Sequence, residues 1–177
     1  GGNLCTASPA GDLLPVLAAL TAVVEVEGPE GARSVPLSEF VVGVKRTSLR
    51  RAEIVTAVRV PLARGPQEFL KVGSRNAMVI SVVSAAVIVD LEAHTVRAGL
   101  GSVAPVPVRP FEAERLASSR VNWDTAALAD ETVAEEFGSL AARATSPIDD
   151  HRSSAAYRLH AIGVCARRAL ERALPRH

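Results

Sequence analysis

The sequence is poor in the features that most often declare a function. Its two cysteines, Cys5 and Cys165, stand near opposite ends of 177 residues with no CxxC spacing. So few thiols fit a reducing, cytoplasmic setting, and both are expected to be buried as small hydrophobes rather than to serve as ligands. Aromatic side chains make up only 3%, so the core must be built from Ala, Val and Leu, which suit packed strands and closely approaching helices. No charge of one sign prevails: the formal net charge is +1, and the arginines are scattered along the chain. That argues against a nucleic-acid surface and against an acidic substrate drawn in by a general field. The longest uncharged run, 76–89, is too short for the ~20 residues of a membrane span. The first residues show neither the basic start nor the apolar run of a signal peptide. The four histidines, His94, His151, His160 and His177, never fall at the helical i, i+4 spacing of a metal site, and no metal centre is expected.

What the sequence does have is 48% hydrophobic content, enough for one mid-sized domain or two small ones sharing a core. It opens without an initiator Met on Gly1-Gly2-Asn3, inside what reads as a tight loop, and is expected to be a fragment lacking an N-terminal part. Residues 1–12, GGNLCTASPAGD, form a loop by composition. Asp12 is placed to cap a short helix through Leu13, Leu17 and Leu20, with Pro15 in its first turn. β-Branched residues and alternation predict strands at 21–27 and 32–35 around the turn 28–31, and another at 54–60. The stretch 62–66, LARGP, is the expected domain boundary.

Beyond that boundary a meander is predicted at 68–74, 80–91 and 96–103. Its middle run is apolar on both faces, as a central strand would be. After the proline-rich hinge 105–110 come three helices: 111–118, a second from an N-cap at Asp124 to about residue 143, and a long last one introduced by Asp149-Asp150. In the last, Ala155, Leu159, Ile162, Ala166, Leu170 and Leu174 step by three or four residues and are expected to face the core. Arg167, Arg168, Arg172 and Arg176 suit its C-terminal dipole and a solvated face. Strands followed by helices spell a segregated α+β domain rather than a βαβ one.

The segment richest in chemistry is GGNLCTASPAGD. Adjacent glycines let a ligand approach the backbone without a Cβ in the way. Exposed N–H groups, Ser and Thr hydroxyls and a helix start together suit a phosphate or pyrophosphate. The same residues also fit an ordinary turn, and no GxGxxG or GxxxxGK accompanies them. Lys71 reads equally as a solvated strand lysine, and Arg75 as an arginine paired to a carboxylate.

Taken in order, these segments carry a resemblance. Gly1, Gly2, Asn3, Thr6, Ala7, Ser8, Pro9 and Asp12 resemble the second FAD motif of the flavoprotein of molybdenum hydroxylases, the xanthine dehydrogenase and carbon monoxide dehydrogenase family. In that family Thr-Ile usually precedes Gly-Gly-Asn; here it would lie upstream of residue 1. Glu53-Ile54-Val55 through Val60-Pro61 is similar to the family's E-I-hydrophobic strand, and FLKVGSR at 69–75 to its F-x-K-x-x-x-R strand. The run 81–90 is similar to its central strand. Gly101, Val103, Ala104, Pro107 and Arg109 resemble its G-x-V-A-x-x-P-x-R turn, and 150–158, DHRSSAAYR, its closing D-x-R-S-S-x-x-Y-R segment. The matches span essentially the whole chain.

The resemblance implies an α+β fold: residues 1–62 as the end of a PCMH-type FAD-binding domain (its second subdomain), and 66–175 as a CO dehydrogenase flavoprotein C-terminal-like domain. The latter would hold a three-stranded antiparallel sheet packed by three helices. It implies that Gly1, Gly2, Asn3, Thr6, Asp12 and Val55 touch FAD and that Lys71 reaches the flavin, with no catalytic acid, base or nucleophile. It implies an electron-transfer subunit, the molybdenum cofactor on a large partner and 2Fe–2S clusters on a small one, in a dimer of heterotrimers with no nucleic acid. Two departures stand out. The Gly-rich first FAD motif is missing, so the fragment alone is expected to be inactive and to hold FAD poorly. Cys5 sits where an apolar or β-branched residue is usual. The alternatives are an assembly module that no longer binds FAD, and an unrelated nucleotide-binding α+β protein.

Overall fold

The computed structural model describes residues 1–75 and 79–174. The chain opens with α1 (Gly2–Thr6) and α2 (Leu13–Ala19). The expectation of a loop over 1–12 is therefore corrected: Leu4 and Ala7 are both buried, and anchoring Leu4 rolls residues 2–6 into a helical turn. Ala7 ends it in the left-handed region, φ 44°. A hairpin follows, β1 (Val23–Gly28) and β2 (Gly31–Pro36), and its tight turn needs the positive φ of 108° at Gly31. After α3 (Leu37–Phe40), β3 (Val41–Gly43) and β4 (Arg46–Thr47), the strand β5 (Ile54–Arg59) returns to pair with β1. The antiparallel sheet β2-β1-β5 lays Val24, Val26 and Val35 over Leu4, Leu14, Leu17 and Phe40, and Val55 packs against the same cluster.

The far edge of β5 pairs with nothing among the described residues, and Ile54 is 63% exposed, with Val58 and Val60 also exposed. One end of β5 is pinned by charge. Arg33 donates from Nε and Nη2 to the two carboxylate oxygens of Glu53, each at 2.8 Å, and the Arg50 N–H adds a bond of 2.6 Å. The Arg33 bond, then the Arg50 bond, pulls the Glu53 carboxyl down from 4.5 to about 2.

The second half holds β6 (Gln67–Val72), β7 (Val83–Asp90) and β8 (Thr95–Gly101) in one antiparallel sheet, order β6-β7-β8. β7 is buried along its whole length because both of its faces are covered. Ala85, Val87 and Val89 face the main core beneath the C-terminal helices, while Ala86 and Ile88 face Ala19 at the end of α2. The helix α2 lies so close over β8 that a Cβ on Gly99 would sit 1.9 Å from the Pro15 carbonyl oxygen. At the hinge, Arg109 donates to both oxygens of buried Glu114 (3.0 and 2.6 Å), which also accepts the Ala98 N–H. This ties the proline-rich segment and α4 (Phe111–Ser119) to β8.

A miniature hairpin, β9 (Val121–Asn122) and β10 (Ala127–Leu128), separates α4 from α5 (Thr132–Arg143). Asp124 is not the N-cap expected: the Asn122 side chain takes the N–H groups of Asp124 and Thr125 and folds them into the hairpin turn. Asp130 instead accepts from the Thr132 N–H and hydroxyl at the true start of α5. The last helix is α6 (Ala155–Ala173), N-capped by the Ser154 hydroxyl. It crosses α5 at Gly138, where a Cβ would meet the Gly163 carbonyl oxygen at 2.6 Å.

The apolar stripe of α6 holds at Ile162, Ala166, Leu170 and Leu174 but fails at its start, where Leu159 is exposed and Arg158, 4% exposed, is inside. Arg158 Nη1 donates to the carbonyls of Val82 and Ser102, both at 2.8 Å, and Nη2 to Asp150 at 2.7 Å. Cys165 is buried, as expected of it; Cys5 is exposed, because the turn that buries Leu4 turns its neighbour outward. Arg176 and His177 lie outside the described residues. The architecture is α+β with antiparallel sheets, and no described helix is long and apolar enough to cross a membrane.

Candidate functional site

The first turn of α1 presents one solvent-facing surface. Gly1, Gly2, Asn3 and Thr6 are all exposed, while Leu4 between them holds the turn to the core. A Cβ on Gly1 or Gly2 would meet no atom within 4 Å, so the space over both glycines is open. The N–H groups at the start of a helical turn have no acceptor within it. The Asn3 amide lies against Gly11, where a Cβ would come to 3.0 Å of Asn3 Oδ1. Gly11 thereby folds the 7–12 segment back beside α1.

That fold delivers Asp12 to the C-terminal sheet. Asp12 stands at the N-cap of α2 but makes no capping bond with its side chain, contrary to expectation. Its carboxylate is taken by partners remote in sequence. Lys71 Nζ, on β6, donates to Oδ2 at 2.6 Å, and the Ser81 hydroxyl donates to Oδ1 at 2.5 Å. Lys71 Nζ also donates to the Val79 carbonyl at 3.1 Å. Lys71 and Asp12 remain partly open to solvent, whereas Ser81 is fully buried. Ser81 is in turn held from behind, its carbonyl accepting the Ser102 hydroxyl at 3.1 Å. Reading the sequence assigned neither Ser81 nor Ser102 a role at the site, because Ser81 stands 69 positions after Asp12 and no local pattern links them.

Of the residues picked from sequence, the structure thus brings Asp12 and Lys71 into direct contact. Gly1, Gly2, Asn3 and Thr6 share the exposed face of α1, which packs on α2 immediately beyond Asp12. Val55 stands apart on β5, half-buried against the core that holds Leu4. Chemically, the arrangement offers backbone amides at two unobstructed glycines, an amide and a hydroxyl side chain, and an ammonium whose position a buried serine fixes through a carboxylate. A phosphorylated ligand with a redox-active or otherwise charge-accepting head fits that donor set. No group of three or more His, Cys, Asp or Glu that could hold a metal occurs among the described residues.

Two family models match the chain. Residues 1–63 match the family described as FAD binding domain in molybdopterin dehydrogenase, and residues 68–173 match CO dehydrogenase flavoprotein C-terminal domain. The carbon monoxide dehydrogenase medium chain of Afipia carboxidovorans is 32% identical over 180 residues, 99% of this chain and 60% of that protein. The glyceraldehyde dehydrogenase medium chain of Sulfolobus acidocaldarius is 28% identical, over 97% of this chain and 59% of its own length. In three dimensions the chain resembles reconstituted CO dehydrogenase from Oligotropha carboxidovorans with a TM-score of 0.87 and 30% identity, covering 100% of this chain and 61% of that one. The chain therefore spans about 60% of the length of the relatives it matches.

Proposed function

Because this chain belongs to the family of FAD-binding medium subunits of the molybdenum hydroxylases, we propose that it forms part of an oxidoreductase subunit that carries electrons through FAD. The observation that carries the reading is the meeting of Asp12, Lys71 and Ser81 next to the open glycine face of α1. Bound there, FAD would supply the redox chemistry for electron transfer from 2Fe–2S clusters on a small partner subunit to a final acceptor. Substrate oxidation then belongs to a large subunit bearing the molybdenum cofactor, within a dimer of heterotrimers in the cytoplasm.

In this reading Gly1 and Gly2 let a pyrophosphate approach the backbone amides, and Asn3 and Thr6 add side-chain hydrogen bonds. Lys71 would hold an ammonium toward the flavin head, where it would favour negative charge. Asp12 keeps that ammonium from wandering, and Ser81 keeps Asp12 in place. Val55 supplies an apolar contact from β5. None of these groups acts as acid, base or nucleophile. The cofactor-binding unit ends at residue 62 and the C-terminal unit begins at 66.

The structure makes the test clean. A side chain at Gly2 meets nothing within the chain, and a partly exposed pair such as Lys71–Asp12 contributes at most about 1 kcal/mol of stability, so both sites can be changed without unfolding it. In a longer protein that also carries the remaining part of the relatives' length, Gly2→Val and Lys71→Ala are expected to fold yet to lose or weaken the flavin absorption and the released FAD. A folded, colourless parent protein that takes up no added FAD would sink the flavoprotein reading and leave a subunit-assembly module in its place.

A further inference from the structure

A cavity of about 330 Å³ opens where three stretches of chain meet: Ser8-Pro9-Ala10, the turn at 102–105 and the segment 146–152. None of the residues assigned above to FAD lines it. Its volume is within the range of small-molecule sites, which begin at roughly 300 Å³, and like them it is walled mainly by apolar groups with a few polar ones. Pro9, Ala10 and Pro105 supply apolar wall, and Ile148, 71% exposed, stands in solvent beside them.

The charged lining is unbalanced. Lys45, Arg152 and Arg158 face a single carboxylate, Asp150. That carboxylate is already saturated: it accepts from the Arg152 N–H, Nε and Nη2, from the Ser153 N–H and from Arg158 Nη2. Lys45 Nζ and Arg152 Nη1 have no partner among the described residues, and the buried Nε of Arg158 has none either. Lys45 and the free Nη1 of Arg152, beside an apolar hollow, suit an acceptor that brings negative charge and an apolar body.

We propose that this cavity binds a small organic monocarboxylate, its carboxylate against Lys45 and Arg152 and its apolar body against Pro9, Ala10, Pro105 and Ile148. Lys45 is anchored through its backbone. Its backbone sits in the left-handed region, φ 54°, with its N–H bonded to the Ala7 carbonyl at 2.9 Å. Arg152 is oriented by its two bonds to Asp150. The site takes none of the residues given to FAD above, although Ser8 and Pro9 belong to the same loop and Ser102, which holds Ser81, also lines the cavity.

The probe is 4-fluorobenzoate, followed by fluorine NMR during titration with the 177-residue chain, alongside the neutral isostere 4-fluorobenzamide. We expect saturable binding of the acid and none of the amide. Lys45→Gln and Arg152→Gln are each expected to weaken binding about tenfold, the worth of one charge-assisted hydrogen bond. Ala10→Leu, which fills the apolar wall, is expected to abolish it. Unchanged unfolding midpoints verify that Lys45→Gln and Ala10→Leu fold. Failure of the acid to bind at millimolar concentration, equal binding of the amide, or affinity unaltered in both charge variants overturns the proposal.

Discussion

Replacing Gly99 with alanine would place a methyl group where α2 passes over β8. The added Cβ would lie 1.9 Å from the Pro15 carbonyl oxygen, 2.7 Å from its carbon and 3.1 Å from the Ala19 nitrogen. A comfortable carbon-to-oxygen contact is about 3.3 Å, so the helix would have to withdraw by roughly 1.4 Å. All three obstacles are backbone, so no side chain can rotate away to make room. Retreat of α2 would loosen Ala19 from Ala86 and Ile88 and would pull Asp12, which directly precedes the helix, from Lys71. Overpacking of this kind costs about 1–3 kcal/mol, and the backbone clash puts Gly99→Ala at the upper end. For a chain of this size about 3 kcal/mol lowers the thermal midpoint by roughly 6–12 °C. Thermal unfolding followed by circular dichroism would measure it, with Gly43→Ala as the control, since a Cβ there meets nothing closer than 3.9 Å. A Gly99→Ala midpoint within a degree of that control would refute the claim that this crossing fixes the two halves together.

Three further outcomes follow from the described contacts. Glu53 is held at about 2 against an ordinary 4.5, chiefly by the Arg33 hydrogen bond. Its stabilising contribution is therefore complete above about pH 4.5 and is lost as pH falls toward 2, and Glu53→Gln should remove that slope from urea midpoints measured across this window. Arg158→Met takes the Nη1 donor from two buried carbonyls and one of the five donors from Asp150, and should cost about 2–5 kcal/mol by urea denaturation; a loss below about 1 kcal/mol, the value of an exposed pair, would contradict the role given to it. Cys5 is exposed, while burial pushes the Cys165 thiol up despite the opposing charge of Arg168. A thiol reagent should thus modify one cysteine at once in the native chain and the second only on unfolding, a two-phase trace that disappears in Cys5→Ser.

Where the sequence was legible, one local rule decided the outcome. The run SVVSAAVIVD reads as a strand covered on both sides, and β7 is that strand because α2 and the C-terminal helices take opposite faces. The last helix was equally plain from Ile162 onward, where periodicity and burial agree. Two of the misses involve a partner that local pattern cannot supply. Asp12 looks like a cap until Lys71 and Ser81 arrive from across the fold. Arg158 falls outside the expected apolar stripe, yet Asp150 and the carbonyls flanking β7 and β8 draw it inside. Asp124 yields to Asn122, whose amide competes for the same backbone within a few residues. At the candidate site, family resemblance picked out Asp12 and Lys71 separately, but their contact, and the serine that supports it, exist only once the two halves are assembled.

The unpaired edge of β5 makes concentration a variable in the behaviour of this chain. A strand whose outer N–H and C=O groups lack partners, with Ile54, Val58 and Val60 in solvent beside them, is a template for any other extended segment. The opposite edge of the same sheet, β2, carries the polar Arg33 and Ser34 in place of such apolar side chains. Handled alone at high concentration, the chain would be expected to associate β5 to β5. A lysine at position 58, which adds charge to that border, should keep it dispersed without touching the glycine face, the ion pair or the cavity.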